Sequence, residues 1–287
     1  MRTVRTKGNK KSSQINRTSR SMTVFLAIVS LIQLFPLYWM FTFSLKDNKE
    51  IFGKNVVGLP TVWRWDNYTT IFGAKGVNMG TYMTNSVIVT AATILFTLLL
   101  GAMVTYAIVR MKWKLSKLVY NVFLVGMMLS VQAVMLPLYV NLQPLMSTHF
   151  VLILPYTAFA MPQAILLMVG SLEALPKEME EAAFIDGANI YKIFFSIILP
   201  MLAPILSTVA ILTFLSSWNE YMLALVFISA DKLKTVTVGV KDLVGKYTSK
   251  WGRIGAALTV ATFPTLVMYI LLSKNVTASL AMGAVKG

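Results

Sequence analysis

The chain has no cysteine and a single histidine among its 287 residues. The absence of cysteine excludes a disulfide framework, a thiolate zinc site and a cysteine nucleophile. The histidine, His149, stands without the neighbouring ligand pattern that metal or proton chemistry needs. A phosphate-binding loop of the form G-x-x-x-x-G-K-S/T is missing as well, because Gly245-Lys246-Tyr247 does not fit it. The sequence therefore predicts a chain that is not an enzyme and that holds no metal or cofactor of its own.

Charged residues are also scarce, at 13 % of the chain, whereas 56 % are hydrophobic and the mean hydropathy is +0.69. Soluble domains usually contain about 25 % charged and about 45–50 % apolar residues. A membrane-embedded chain explains both deviations, and its length provides for several spans of about 20 apolar residues each. The apolar runs exceed the roughly 9–11 residues of a barrel strand. The sequence therefore predicts an all-α membrane protein.

Six apolar stretches are long enough to cross the bilayer as helices. They cover residues 22–45, 81–109, 115–140, 150–170, 201–228 and 254–272. On this basis we divide the chain into a basic tail, a first span with its external loop, and a core that contains the other five spans. The divisions are residues 1–20, 21–80 and 81–287, and the core includes a polar loop at 172–204, an external loop at 229–253 and a C-terminal tail.

The net charge of +15 resides in tails and loops, which indicates contact with anionic lipid and not with nucleic acid. The tail at 1–20 holds seven basic residues and no acidic one, which predicts a disordered segment that stays in the cytosol. With an even number of spans, the C-terminus is then cytosolic too. The loop at 229–253 departs from this charge rule, since it is predicted to be external yet has six basic residues against two acidic ones.

The polar loop at 172–204 is the most unusual segment between spans. Pro176 precedes a run of acidic residues, which is favourable at a helix N-terminus, and Gly187 lies where that helix should end. A second amphipathic helix would then lead into the fifth span. Such a helix, bend and helix could dock in the groove of a partner protein. The alternative is a hairpin on the membrane surface, but five acidic residues against two lysines disfavour contact with a negatively charged leaflet.

The residues of this loop also follow a specific spacing. Glu181-Ala182-Ala183 is followed by Asp186-Gly187-Ala188, and then by Ile197, Leu199-Pro200 and Pro204. This pattern resembles the EAA loop of the permease subunits of bacterial ABC importers. In that family the loop forms a coupling helix that sits in a cleft of the cytosolic ATPase subunit, so the resemblance implies that ATP hydrolysis belongs to another polypeptide.

Further matches extend over nearly everything after the basic tail. They are Asn85-Ser86, Trp218-Asn219-Glu220-Tyr221, Trp251-Gly252 and Gly283-Ala284-Val285-Lys286-Gly287. These segments resemble the carbohydrate-uptake branch and, within it, the type of subunit related to the maltose permease protein G. The resemblance implies a type I ABC importer permease fold with about six transmembrane helices and a cytosolic coupling helix, in the inner membrane of a bacterium.

The resemblance also implies partners and site residues. The partners would be a second permease subunit, a cytosolic ATPase dimer that holds ATP and magnesium, an extracytoplasmic solute-binding protein, a sugar and membrane lipid. The ATPase-coupling residues would be Glu181, Ala182, Ala183, Phe184, Asp186, Gly187, Ala188, Leu199 and Pro200. The loop that contacts the binding protein would present Lys232, Lys234, Lys241 and Lys246.

Polar residues in or beside the spans are candidates for a solute pathway, namely Glu220, Asn219, Gln132 and Asn85. Glu220 is the only acidic residue inside a predicted span, which makes it a functional candidate, although it could also pair with a partner subunit or reach the membrane interface. The amides could instead form hydrogen bonds between helices.

Two other functions of the chain remain open. One is the same machinery for a polyamine, a peptide or a phosphorus compound, and the other is an ion-coupled secondary transporter that would depend on Glu220 alone.

Overall fold

The computed structural model describes residues 9–73, 78–111, 113–244 and 250–284, with side chains from Met22 to Leu271 within those ranges. Every regular element in this part of the chain is helical. The α-helices are α1 (Asn9–Ser44), α2 (Asn48–Ile51), α3 (Asp66–Phe72), α4 (Met79–Val109), α5 (Ser116–Gly126), α6 (Val131–Leu142), α7 (Phe150–Glu173), α8 (Glu178–Ile185), α9 (Ile190–Ile193), α10 (Leu199–Met201), α11 (Ala203–Trp218), α12 (Met222–Phe227), α13 (Val236–Asp242) and α14 (Trp251–Ala284). Two 3-10 turns and a π-helical stretch complete them, at Gln143–Leu145, Asp231–Leu233 and Phe194–Ile198.

Four helical segments are long and apolar enough to cross a membrane, namely Met22–Ser44, Met79–Val109, Phe150–Glu173 and Trp251–Leu271. They correspond to the first, second, fourth and sixth predicted spans. When each of two bent helix pairs counts as one span, the total is six. The predicted all-α membrane fold with about six spans is therefore confirmed.

The third predicted span is wrong as a single helix. It consists of Ser116–Gly126 and Val131–Leu145, which meet at an angle of 105°. Between them the chain leaves the helical conformation, and Ser130 is extended with ψ 135°. Hydropathy alone cannot reveal this break, because the residues of the turn are as apolar as those of the two helices.

The fifth predicted span, residues 201–228, is wrong in its C-terminal part. At its start the chain bends by 74° between Ile190–Met201 and Ala203–Trp218, close to the predicted boundary between the second helix of the polar loop and this span. Pro204, in the first turn of α11, accounts for the break, since proline has no N–H to donate to the carbonyl of Pro200. The helix then stops at Trp218 and not at residue 228, and α12 follows as a separate short helix.

Both chain ends are more helical than predicted. α1 begins at Asn9, so residues 9–20, predicted to be disordered, are helical, while residues 1–8 lie outside the described part of the chain. An apolar span supplies the helix nucleus, and each further residue can then join at little cost. At the other terminus α14 continues to Ala284, beyond the predicted end at 272.

α4 is the central helix, and it packs along α7 and α11. Its 31 residues extend about 46 Å at 1.5 Å per residue. The N-terminal end of α4 lies beside α13 and the 3-10 turn at Asp231–Leu233, and we call this region the α13 end. Its C-terminal end lies beside the end of α7 and the start of α8, and we call this region the α8 end.

Small and hydroxyl-bearing side chains fill the buried face of α4. Thr90, Thr93, Thr97, Gly101 and Thr105 are all buried. A Cβ added at Gly101 would lie 3.6 Å from Ala164 and Met168 of α7, so the two helices approach closely there. Small residues allow such approach between membrane helices, where packing replaces the hydrophobic effect as the driving force. This interface makes α4 and α7 the structural unit that connects the two ends.

Candidate functional site

At the α8 end, the polar loop folds as a helix, a bend and a second helix. α8 ends just before Gly187, whose φ of +79° lies in the left-handed region that favours glycine. Asn189 then begins α9, because its Oδ1 accepts a hydrogen bond of 2.9 Å from the backbone N–H of Lys192. The bend and both helices lie where the sequence predicted them.

The predicted coupling residues divide into an outward and an inward group. Phe184 is 71 % exposed and Ile185 is 86 % exposed. Also exposed are Glu181, Ala182, Asp186, Gly187 and Pro200, whereas Ala183, Ala188 and Leu199 are half-buried against a core cluster that includes Ile193, Phe194 and Ile198. Large apolar side chains that protrude from a loop outside the spans indicate a surface that another protein covers.

Beneath this outward group lies an ion pair that joins α8 to the ends of α4 and α7. Arg110 Nε donates to Glu180 Oε1 at 2.6 Å, and the Arg110 and Glu180 side chains are only 7 % and 13 % exposed. Tyr106 adds a hydrogen bond of 3.2 Å from its hydroxyl to Glu180 Oε2. The sequence does not reveal this pair, because seventy residues separate its members along the chain.

A groove of about 390 Å³ adjoins the exposed apolar pair. It is lined by Tyr106, Glu180, Glu181, Phe184, Ile185, Ile190 and Ile193. The lining combines isoleucine and aromatic side chains with two carboxylates. The α8 end therefore offers a partner both an apolar anchor point and negative charge.

At the α13 end, Asn85 holds the loop before α13 against the start of α4. Its Nδ2 donates to the carbonyls of Lys232 and Lys234, both at 2.9 Å. His149 Nε2 donates to Asn85 Oδ1 at 3.0 Å, and burial lowers the pKa of His149, which favours its neutral form. The next residue, Ser86, accepts the backbone N–H of Val236 at 2.9 Å. Asn85, predicted as a pathway residue, is therefore buried and fully engaged in fixing this loop.

Glu220 occupies the break between α11 and α12. Its carboxylate accepts the backbone N–H groups of Leu223 at 2.9 Å and Ala224 at 3.2 Å, as a helix N-cap does. It also accepts the hydroxyl of Tyr156 at 2.7 Å. The structure thus places Glu220 as the cap of α12 and as a link between α12 and α7.

The other two predicted pathway residues are exposed. Asn219 donates to the carbonyl of Leu215 at 2.8 Å, and Gln132 accepts the hydroxyl of Ser130. Within the described residues, no hydrogen bond joins any two of the four candidates. The structure does not bring them together into one polar site.

The lysines of the predicted binding-protein loop differ in their surroundings. Lys234 is 16 % exposed and pairs with Asp231 at 2.6 Å and with Asp242 at 2.5 Å. These two hydrogen bonds raise the pKa of Lys234, so it stays charged. Lys232 and Lys241 are exposed, and Lys246 lies outside the described residues. Lys234 therefore holds its own loop together, while Lys232 and Lys241 are open to a partner.

The segment after α1 contributes a second buried polar cluster at the same end. Lys46 is fully buried, and its Nζ donates to the carbonyl of Asn55 at 2.7 Å. Asn67 Nδ2 donates to the carbonyls of Ser44 at 2.8 Å and Lys46 at 3.1 Å. Gly252 packs against this cluster so closely that an added Cβ would lie 2.1 Å from the Lys46 carbonyl oxygen. The close packing of this cluster explains why the residue after Trp251 is glycine. The sequence alone does not reveal the cluster, because its residues lie far apart along the chain.

A family model described as "Binding-protein-dependent transport system inner membrane component" matches residues 97–282. The chain is 35 % identical to the probable ABC transporter permease protein YurM of Bacillus subtilis, over 93 % of this chain and 88 % of that protein. It is 32 % identical to the probable starch degradation products transport system permease protein AmyC of Thermoanaerobacterium thermosulfurigenes, over 92 % and 96 %. It is 31 % identical to the melibiose/raffinose/stachyose import permease protein MelC of Bacillus subtilis, over 94 % and 98 %.

Among solved structures, the fold is similar to a chain of a bacterial ABC transporter involved in the import of the acidic polysaccharide alginate. The TM-score is 0.76 at 21 % sequence identity, and the alignment covers 95 % of this chain and 99 % of the other. Similarity at this level of identity concerns the fold.

Proposed function

The chain belongs to the family of inner-membrane components of binding-protein-dependent transport systems, and from this premise we propose that it is the permease subunit of an ATP-driven importer for a sugar or oligosaccharide. Relatives named for starch degradation products and for melibiose, raffinose and stachyose support a carbohydrate as the solute. A polyamine, a peptide or a phosphorus compound is the alternative solute. In this proposal the chain conducts the solute, and it performs no chemistry itself.

The observation that supports the coupling role is the exposed apolar pair on α8. Phe184 and Ile185 protrude from a helix whose other side is fixed to α4 and α7 through Glu180. An amphipathic helix with apolar anchors on one side is suited to a groove in a partner protein. We assign that groove to a separate cytosolic ATPase dimer, on which ATP and magnesium would bind. Closure of the dimer would then push α8, and α8 would move the spans.

The orientation follows from this assignment. The α8 end would face the cytosol and the α13 end the outside of the inner membrane, with both termini cytosolic. Lys114 and Lys117, which follow α4 at the α8 end, agree with the excess of basic residues in cytosolic loops. At the α13 end, pairing with Asp231 and Asp242 neutralises the charge of Lys234, so part of the positive charge of this external loop is already compensated.

Two further partners complete the proposed machine. The exposed Lys232 and Lys241 would contact the extracytoplasmic solute-binding protein. A second permease subunit would form the other half of the solute pathway and cover part of α1, whose most apolar stretch is not buried within this chain. Alternating access would arise because the loaded binding protein and ATP stabilise different states of this pair.

The test is reconstitution of the complete complex in liposomes with its binding protein and a panel of solutes. We expect ATP-dependent uptake of a sugar or oligosaccharide. Phe184→Asp with Ile185→Asp should abolish copurification of the ATPase, whereas Val57→Asp, at an exposed apolar residue of the loop before α3, should not. ATPase retention by the double variant would contradict the assignment of α8, and ATP-dependent uptake of a non-sugar alone would contradict the assignment of the solute.

A further inference from the structure

The Arg110–Glu180 pair is the most deeply buried ion pair among the described residues, and it lies where α4 leaves the membrane region. The Arg110 side chain is 7 % exposed, whereas the pair of Arg64 and Asp47 at the α13 end is 45 % and 42 % exposed. Removing two charges from water is costly unless hydrogen bonds satisfy them. The charges of Arg110 and Glu180 are therefore removed from water, and the pair does not serve to keep the surface soluble.

The guanidinium of Arg110 connects three elements at once. Its Nε donates to Glu180 in the first turn of α8 at 2.6 Å. Its Nη2 donates to two carbonyls at the end of α7, those of Leu172 at 3.1 Å and Leu175 at 2.9 Å. Arg110 itself follows the last turn of α4. One planar group thus fixes the start of α8 to the ends of both helices that form the central interface of the bundle.

Apart from these bonds, α8 packs mainly against α9 and makes few contacts with α4 or α7. None of its residues is fully buried, and the two with the largest exposed apolar side chains point away from the bundle. The half-buried Ala183 contributes only a small contact with the core cluster. The position of α8 relative to α4 and α7 therefore depends on Glu180 and its partners.

We propose that Arg110 and Glu180 are positioning residues that make α8, α4 and α7 move as one rigid body. A displacement of α8 is then transmitted in full to the spans. This inference rests on the coupling function proposed above. Arginine suits the task because its planar fork can serve one carboxylate and two carbonyls in fixed directions, whereas lysine offers a single flexible ammonium.

The test compares conservative variants in the reconstituted complex. Arg110→Lys keeps the charge and loses the fork, and Glu180→Gln keeps the shape and loses the charge. Glu178→Gln is the matched control, because Glu178 is an exposed carboxylate in the same turn of α8. We expect the first two variants to bind and stimulate the ATPase but to transport about fivefold less solute per ATP hydrolysed than the unmodified chain, which is the lower end of typical coupling effects. The control should keep the normal ratio.

A second measurement separates positioning from general stability. Because the chain has no cysteine, spin labels at Lys114→Cys and Lys177→Cys would be the only ones, and both sites are exposed. The distance between the labels should be narrowly distributed in the unmodified chain and broader in Arg110→Lys and Glu180→Gln. The secondary structure and the amount of protein in the membrane should not change.

Normal solute-to-ATP ratios together with unchanged distance distributions would overturn the proposal. A lower protein yield with a normal ratio would also overturn it, since that result describes a purely structural pair. If the unmodified complex transports nothing on addition of ATP, the proposed function fails, and the label distances in the isolated chain still decide whether the pair positions α8.

Discussion

The two ends of the bundle differ in what their candidate functional residues contact. At the α13 end, polar side chains point inward and meet backbone groups, as when Asn85 binds the carbonyls of Lys232 and Lys234. At the α8 end, apolar side chains point outward, and Phe184 and Ile185 contact little of the chain. Buried polar groups need partners, and exposed apolar groups gain free energy when covered. The buried polar groups of the α13 end therefore have their partners within this chain, whereas Phe184 and Ile185 at the α8 end remain largely uncovered.

The largest effect that this comparison predicts is for Gly252→Ala at the α13 end. The new Cβ would lie 2.1 Å from the Lys46 carbonyl oxygen and 2.5 Å from Asn67 Nδ2, so backbone must shift. We expect a loss of about 3 kcal/mol in the free energy of unfolding, the upper part of the usual range for overpacking. Thermal unfolding in detergent measures it.

Gly170→Ala serves as the control for this substitution, because nothing lies within 4 Å of a Cβ at that helical position. There the change should be neutral or slightly stabilising. Equal melting temperatures for the two variants would show that the α13 end is less tightly packed than described.

The next largest effect is expected for Asn85→Ala. The substitution leaves the carbonyls of Lys232 and Lys234 without their donor in a buried site, which should cost about 2 kcal/mol. Hydrogen exchange of the segment before α13 should accelerate together with the drop in melting temperature. Gln132→Ala, at an exposed amide, should change neither quantity. A stable Asn85→Ala chain with a protected loop would contradict the assignment of Asn85 as the residue that fixes this loop.

Phe184→Ala tests the other half of the comparison. Because Phe184 is 71 % exposed, we expect no measurable change in the melting temperature of the isolated chain. Binding of the ATPase should weaken roughly tenfold, as for an interface anchor of moderate strength. Titration of the ATPase onto the reconstituted chain measures the affinity. A lower melting temperature with unchanged affinity would show that Phe184 belongs to the core and not to an interface.

The smallest effect concerns pH at the α13 end. Burial lowers the pKa of His149, so the unfolded chain takes up its proton at a higher pH than the folded chain. The contribution of His149 to stability is therefore fully present above about pH 6.5 and is lost as the pH falls through the folded pKa. Because the ring is partly exposed, the loss should stay well under about 1 kcal/mol. His149→Gln should remove this dependence in melting curves between pH 7 and pH 5, and an unchanged dependence would contradict the assignment.

Much of the fold could be predicted because its signals are local. Hydropathy located the spans, and Pro176, the acidic run and Gly187 predicted the helix and bend of the α8 end. The break before α11 has a local signal too, since Pro204 removes one backbone donor. Glu220 had a similar signal. A polar residue three positions before Leu223 can cap a helix, but this signal becomes specific only when the start of α12 is known.

The contacts that fix the two ends could not be predicted, because they join residues far apart in the sequence. Arg110 follows an apolar span, and its bond to Glu180 depends on where α4 and α7 end together in space. The burial of Lys46 depends in the same way on how α14 packs against the segment after α1. Nothing in the composition of either segment distinguishes such a lysine from an exposed one.

The bend of 74° between Ile190–Met201 and Ala203–Trp218 makes the first segment a lever arm. Twelve residues of helix measure about 18 Å, so a rotation of about 10° around Leu202 would move the far end by about 3 Å. Conversely, a push of a few ångströms applied near Gly187 becomes a tilt of α11. The bend at Leu202 would thus convert a linear displacement near Gly187 into a rotation of α11. The angle of this rotation depends on the number of residues between Gly187 and Pro204, because a longer segment turns through a smaller angle for the same displacement.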